Sequence, residues 1–147
     1  MASSPICIIG AGSWGTALAI QFARGGRPTR LWCRDAAQLA SMQQARRNVK
    51  YLPEANFPAP LQLEHTLEAS ISGCRDVLIS VPSHSLRKAL MSIKPHMHPE
   101  MRVAWATKGF ESTSGKLPHQ VAAEVLGETT SVAVLSGPTF AREVGAG

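Results

Sequence analysis

The sequence predicts an α/β domain built on a doubly wound parallel sheet with helices on both faces. Short apolar runs alternate with helical patterns through the 147 residues, the rhythm of repeated strand–helix–strand units. The first apolar run passes through a glycine-rich turn directly into the first helical pattern. Glycine, hydroxyl or cationic residues recur just after the strand-like runs, and in an open parallel sheet those positions share one edge.

The elements follow in order. Ile6-Cys7-Ile8-Ile9 sets a first strand over 5–9, and a helix follows over 13–23. Further strands are expected at 29–33, 61–64, 77–81, 102–106 and 132–135, with helices over 36–46, 83–93 and 116–126. The stretch 48–60 holds three prolines and no periodicity, so it reads as a long loop. No internal repeat or linker divides the chain, and 147 residues suffice for one well-cored domain.

Composition narrows the function. The hydrophobic fraction is 44% and the charged fraction 17%, as in globular proteins. No apolar run approaches the roughly 20 residues of a membrane span, and the N-terminus lacks a secretory pattern. Cys7, Cys33 and Cys74 are odd in number and widely spaced, which suits buried thiols in a reducing compartment and predicts a cytoplasmic protein. Fifteen basic against ten acidic residues give a charge of +5. Arg46, Arg47 and Lys50, with Arg24, Arg27 and Arg30, form the basic region, but with only 5% aromatic residues and arginines near expected helix ends it reads as solvated surface, and no nucleic-acid partner is expected. A mild positive field instead favours small phosphorylated ligands.

The chemistry concentrates in Gly10-Ala11-Gly12-Ser13-Trp14-Gly15, a G-x-G-x-x-G between strand and helix. Gly10 would make the turn, Gly12 would admit a pyrophosphate, and Gly15 would let helix and strand pack closely, as in a Rossmann-like domain. Helix amides and the positive dipole end would face the anion. Arg34, Pro82-Ser83, Lys108-Gly109 and Gly137-Pro138-Thr139 follow later strands and are expected at the same edge.

Individual residues carry competing readings. Asp35 stands where an NAD site often places an acid for the ribose, yet Asp35 with Gln38 also forms a capping box, the preferred reading. Arg34 would then meet a 2′-phosphate or stack on adenine, and the cofactor is expected to be NADP(H), with NAD(H) as the alternative. The alternative is an ordinary surface arginine. Lys108 could reach ligand oxygens as a mobile charge or simply be a solvated lysine. Gly137 and Thr139 precede a helix-like stretch from Phe140 to Val144 that could cap or bind an anion. His96-Met97-His98 lies between prolines and reads as a surface turn, so no metal is expected. Ser83-His84-Ser85 has no G-x-S-x-G elbow, and Ser83 reads as a helix cap.

Taken together, several runs resemble one family. The opening Gly10 to Ala19, Leu31-Trp32-Cys33-Arg34-Asp35, Asn48-Val49-Lys50-Tyr51-Leu52-Pro53 and Val81-Pro82-Ser83-His84 resemble the bacterial NAD(P)-dependent glycerol-3-phosphate dehydrogenases. Ala106-Thr107-Lys108-Gly109-Phe110-Glu111 and Ser136-Gly137-Pro138-Thr139-Phe140-Ala141 complete the set in the same order. The resemblance implies that Ser13, Trp14, Arg34 and Tyr51 contact the cofactor, together with Lys108 and Ala141. It implies that Lys108, Gly137 and Thr139 bind substrate.

The implied reaction interconverts dihydroxyacetone phosphate and sn-glycerol 3-phosphate by hydride transfer, for phospholipid synthesis. The family's proton-donating lysine lies in a helical C-terminal domain. Residues 1–147 are therefore expected to be an incomplete N-terminal dinucleotide-binding domain, C-terminally truncated and inactive alone, whose full-length form could be a homo-oligomer. Two other readings stay open: a related two-domain dehydrogenase of another substrate, and a non-catalytic dinucleotide-sensing module.

Overall fold

In a computed structural model, residues 3–136 and 141–147 are described. The chain runs β1 (Ile6–Ile9), α1 (Ser13–Arg24), β2 (Thr29–Trp32), α2 (Ala36–Ala45), β3 (Arg47–Asn48), β4 (Leu52–Asn56), β5 (Leu61–Glu64) and α3 (Leu67–Ile71). It continues through β6 (Asp76–Ile79), α4 (Ser83–Ile93), β7 (Arg102–Trp105), α5 (Pro118–Leu126), β8 (Ser131–Val134) and α6 (Ala141–Ala146). Six strands form one parallel sheet in the order β5-β2-β1-β6-β7-β8, and β3 and β4 form a small antiparallel pair.

Alternation along the central strands explains the double winding. Ile6 and Ile8 of β1 and Leu78 of β6 face a core shared with Leu18 and Ile20 of α1 and Met42 of α2. Cys7 and Ile9, with Val77 and Ile79, face the opposite core, which α4 and α5 close with Leu86, Leu90, Ile93 and Val121. Side chains two apart share a face, so an apolar strand must be covered on both sides. At the far edge β8 is less covered, with Val132 48% and Val134 64% exposed.

The expected strands and helices are present within a residue or two of their bounds, and four local expectations change. The segment read as a loop over 48–60 holds most of the β3–β4 pair, with Arg47 opposite Asn56 and Asn48 opposite Leu52. The short helix α3 was not anticipated. Thr66 caps it, its hydroxyl oxygen accepting from the Ala69 amide at 3.3 Å. Arg30, reaching across from β2, donates to the Ala69, Ser70 and Ser72 carbonyls at its other end. Ser83 is not a cap: Pro82 occupies that position, and no side chain caps α4. Asp35 does cap α2, accepting from the Ala37 and Gln38 amides at 2.8 and 3.0 Å. Gln38 leaves the box open, because its side-chain amide donates instead to the Ala11 carbonyl at 2.8 Å.

Candidate functional site

The carboxyl ends of β1, β2 and β6 open onto a cleft of 730 Å³ where the strand order reverses about β1. A ligand in an open α/β sheet binds at such a switch point. A second cleft of 390 Å³ continues from it toward the end of β7, and Gly12 and Ser13 line both.

Each glycine of the turn has its own steric reason. Gly10 has φ +114°, and a β-carbon there would collide with the Ser80 carbonyl after β6. A β-carbon on Gly15 would collide with the Gly10 carbonyl, so α1 can approach the turn only without one. Gly12 differs, because a β-carbon there would meet nothing within 4 Å and would project into open space at the junction of the two clefts. It also holds the N-cap position of α1 without supplying a side-chain cap. The first amides of an uncapped helix are oriented toward an incoming anion. A cradle that a side chain would fill, at a helix N-terminus, fits a dinucleotide pyrophosphate.

Around this cradle the larger cleft carries Arg34, Lys50 and Lys88, with Tyr51 44% exposed beside Lys50. The Lys50 ammonium lies 5.0 Å from the Tyr51 ring centre. Asp35 is the acid among these lining residues. The amides of Gln38 and Ala37 hold its carboxyl below the usual range. A carboxylate committed to a helix start leaves the cations to set the local field.

Trp14 and Lys108 line the smaller cleft with Ser80, Val81, Pro82 and Thr107. Its far wall is fixed by Thr107, whose hydroxyl donates to the Val81 carbonyl at 2.7 Å. The structure thus brings Gly10, Gly12, Ser13, Trp14, Gly15, Arg34, Tyr51 and Lys108 to one edge. Ala141 begins α6, lies against the core of α1 and β4, and is not in the described lining of either cleft. Gly137 and Thr139 lie outside the described residues.

Sequence reasoning missed several lining residues. Trp32, Lys50, Leu67 and Lys88 all face the larger cleft. Lys88 sits one helical turn after Ser85 on α4, a spacing that places both on one side. Asn48, in the Asn48 to Pro53 run, is wholly buried under the glycine turn. The His96-Met97-His98 segment follows the end of α4, and the His98 ring lies 3.1 Å from the Cys74 carbonyl.

The chain is similar to known proteins over nearly its whole length. Residues 5–147 match the model of the NAD-dependent glycerol-3-phosphate dehydrogenase N-terminus. The chain belongs to this family. The glycerol-3-phosphate dehydrogenase [NAD(P)+] of Tolumonas auensis is 52% identical over 142 residues, which cover 97% of this chain and 42% of that protein. The corresponding protein of Pasteurella multocida is 48% identical over all 147 residues, 44% of its length. The crystal structure of glycerol-3-phosphate dehydrogenase from Coxiella burnetii superposes with a TM-score of 0.93 at 43% identity, covering 98% of this chain and 44% of that one. The chain therefore spans less than half the length of these dehydrogenase relatives. The fold is the Rossmann-like one expected from the sequence. Among the described residues no helix is long and apolar enough to cross a membrane.

Proposed function

We propose that this chain is the dinucleotide-binding part of an NAD(P)-dependent sn-glycerol-3-phosphate dehydrogenase, which interconverts dihydroxyacetone phosphate and sn-glycerol 3-phosphate for glycerophospholipid synthesis. The observation that carries the reading is the open Gly12 position between two clefts at the switch point of the sheet. The nicotinamide supplies the hydride; the protein orients the reactants and supplies charge and a proton.

In this reading the backbone from Gly10 to Gly15 seats the pyrophosphate, and the adenosine end lies toward Arg34, Lys50 and Tyr51. NADP(H) is the preferred form, because Arg34 offers a cation for a 2′-phosphate while Asp35 is committed to capping α2. Ser13 contacts the cofactor where the two clefts meet, and Trp14 contacts it in the smaller cleft. Lys108 stands at the smaller cleft, where an ammonium can meet both cofactor and the anionic substrate. Gly137 and Thr139 bind the substrate phosphate, and Ala141, which packs against the core of α1 and β4, reaches the cofactor only from outside the two clefts; the proton-donating lysine lies in a following helical domain. Residues 1–147 belong to the N-terminal dinucleotide-binding domain. We place the protein in the cytoplasm, a reading supported by three buried thiols without disulfides.

The test is turnover by the full-length polypeptide with dihydroxyacetone phosphate and NADPH or NADH, beside residues 1–147 alone. Turnover by the full-length form and none by the fragment is the expected result. Cofactor binding without turnover by the full-length form would favour a dinucleotide-sensing module.

A further inference from the structure

Asn48 is 0% exposed, yet its side chain is polar. Burying a carboxamide is costly unless its donors and acceptor are matched. Here its nitrogen donates to the Ala11 carbonyl at 3.0 Å and to the Thr16 hydroxyl at 2.8 Å. Its oxygen accepts from the Tyr51 amide at 3.1 Å. Both donors and the acceptor are engaged.

The partners bracket the glycine turn. Ala11 immediately precedes Gly12, and Thr16, itself buried, immediately follows Gly15. One side chain thus grips the turn at entry and exit. The Ala11 carbonyl also accepts from the Gln38 side chain at 2.8 Å, so two amide donors converge on it. In a planar trans peptide the carbonyl and the next N–H point in opposite directions. Holding the Ala11 carbonyl toward Asn48 and Gln38 turns the Gly12 amide away from them. An unanchored Ala11–Gly12 peptide could rotate and set a carbonyl, rather than an amide, against an anion.

We infer that Asn48 is a positioning residue for the cofactor: it locks the glycine turn in its anion-binding form and ties that turn to the backbone of Tyr51. The inference rests on the dinucleotide reading of the cleft. It explains why the β3–β4 pair lies beneath the turn, since β3 ends in Asn48 and the connection to β4 carries Tyr51. The two contact regions of the ligand, pyrophosphate and adenosine, then share one buried side chain.

The test uses the full-length protein and three probes. NADPH and ADP-ribose carry a pyrophosphate, and 2′-AMP does not. Asn48→Asp keeps the shape and the acceptor for Tyr51 but removes both donors. It is expected to weaken NADPH and ADP-ribose by about tenfold or more while 2′-AMP stays within about twofold. Gln38→Met removes the other donor from a half-buried site and is expected to give a smaller loss with the same selectivity; it decides the matter if Asn48→Asp does not fold. Equal losses for all three probes, or no loss in a folded variant, would overturn the positioning role. A wild-type protein that binds neither NADPH nor ADP-ribose would overturn the cofactor site and this inference together.

Discussion

Arg87 on α4 grips Glu111 with two nitrogens, each 2.9 Å from a carboxylate oxygen, and so fastens the loop after β7 to the helix after β6. The same guanidinium reaches Glu124 of α5 at 2.8 Å, and Lys116 pairs with Glu124 from the other side. Lys108 lies at the start of the loop held in this way. The side chain of Arg87, then Ser114, pulls the Glu111 carboxyl from 4.5 down to about 2.

A carboxyl lowered on folding stabilises the folded state fully above its unfolded pKa and progressively less as pH falls through the folded one. The Arg87–Glu111 contribution should therefore be constant above about pH 5 and fade between about 4.5 and 2. Thermal unfolding of Glu111→Gln against wild type, from pH 7 to 2, checks this. The variant should melt lower at neutral pH, and the gap should close in acid; a gap independent of pH would refute the assignment.

The glycines of the turn should separate stability from binding. Gly15→Ala drives a methyl group into the Gly10 carbonyl. It should cost about 3 kcal/mol or more, because backbone cannot move aside as a side chain can. Gly12→Ala meets nothing within 4 Å and should change stability by about 0.5 kcal/mol or less. Its methyl occupies the cradle, so NADPH affinity should fall about tenfold or more. Calorimetry and fluorescence titration on the two variants read these effects independently.

Arg34 should decide between the two nicotinamide cofactors. A charge-assisted bond to a 2′-phosphate contributes about 1.5–3 kcal/mol, a preference of roughly ten- to a hundredfold for NADPH. Arg34→Ala should remove that preference by weakening NADPH while leaving NADH nearly unchanged. Parallel titrations test it, and a variant that keeps its preference would move the selectivity elsewhere in the cleft.

Arg30 offers a purely structural contrast. Its guanidinium collects the Ala69, Ser70 and Ser72 carbonyls at the C-terminal end of α3. Arg30→Met should destabilise by about 2 kcal/mol through the lost charged hydrogen bonds and helix-end interaction. Because Leu67 at the start of α3 lines the cleft, hydrogen exchange should show fraying that begins near Ser72 and stops short of Leu67.

The large sheet was legible because its signals are local: continuous apolar runs at β1 and β6, and a glycine turn of fixed spacing. What escaped was set by partners distant in sequence or by elements too short to show a period. The β3–β4 pair depends on Arg47 meeting Asn56, and three prolines masked it. Helix α3 spans five residues, little more than one turn, and owes its ends to Thr66 and to an arginine on another strand. The cap on α2 was readable from Asp35, whereas the destination of Gln38 was not, since the Ala11 carbonyl reaches it only through the fold. The turn at Gly10 and the close packing at Gly15 were legible from their spacing; the buried side chain beneath them had no local pattern to announce it.

The turn after β1 and the turn after β6 touch at Gly10 and Ser80, where the Ser80 amide also donates to the Ile9 carbonyl at 2.8 Å. Residues far apart in sequence meet there, and under the proposed reading the dinucleotide lies across their junction. Such a ligand binds only the assembled arrangement, which makes cofactor occupancy and folding a single linked equilibrium. At a hundredfold excess over Kd the ligand would add about 2.7 kcal/mol. The protein's lifetime against cellular proteases would then track the nicotinamide pool, with depleted cells losing the polypeptide as well as its turnover.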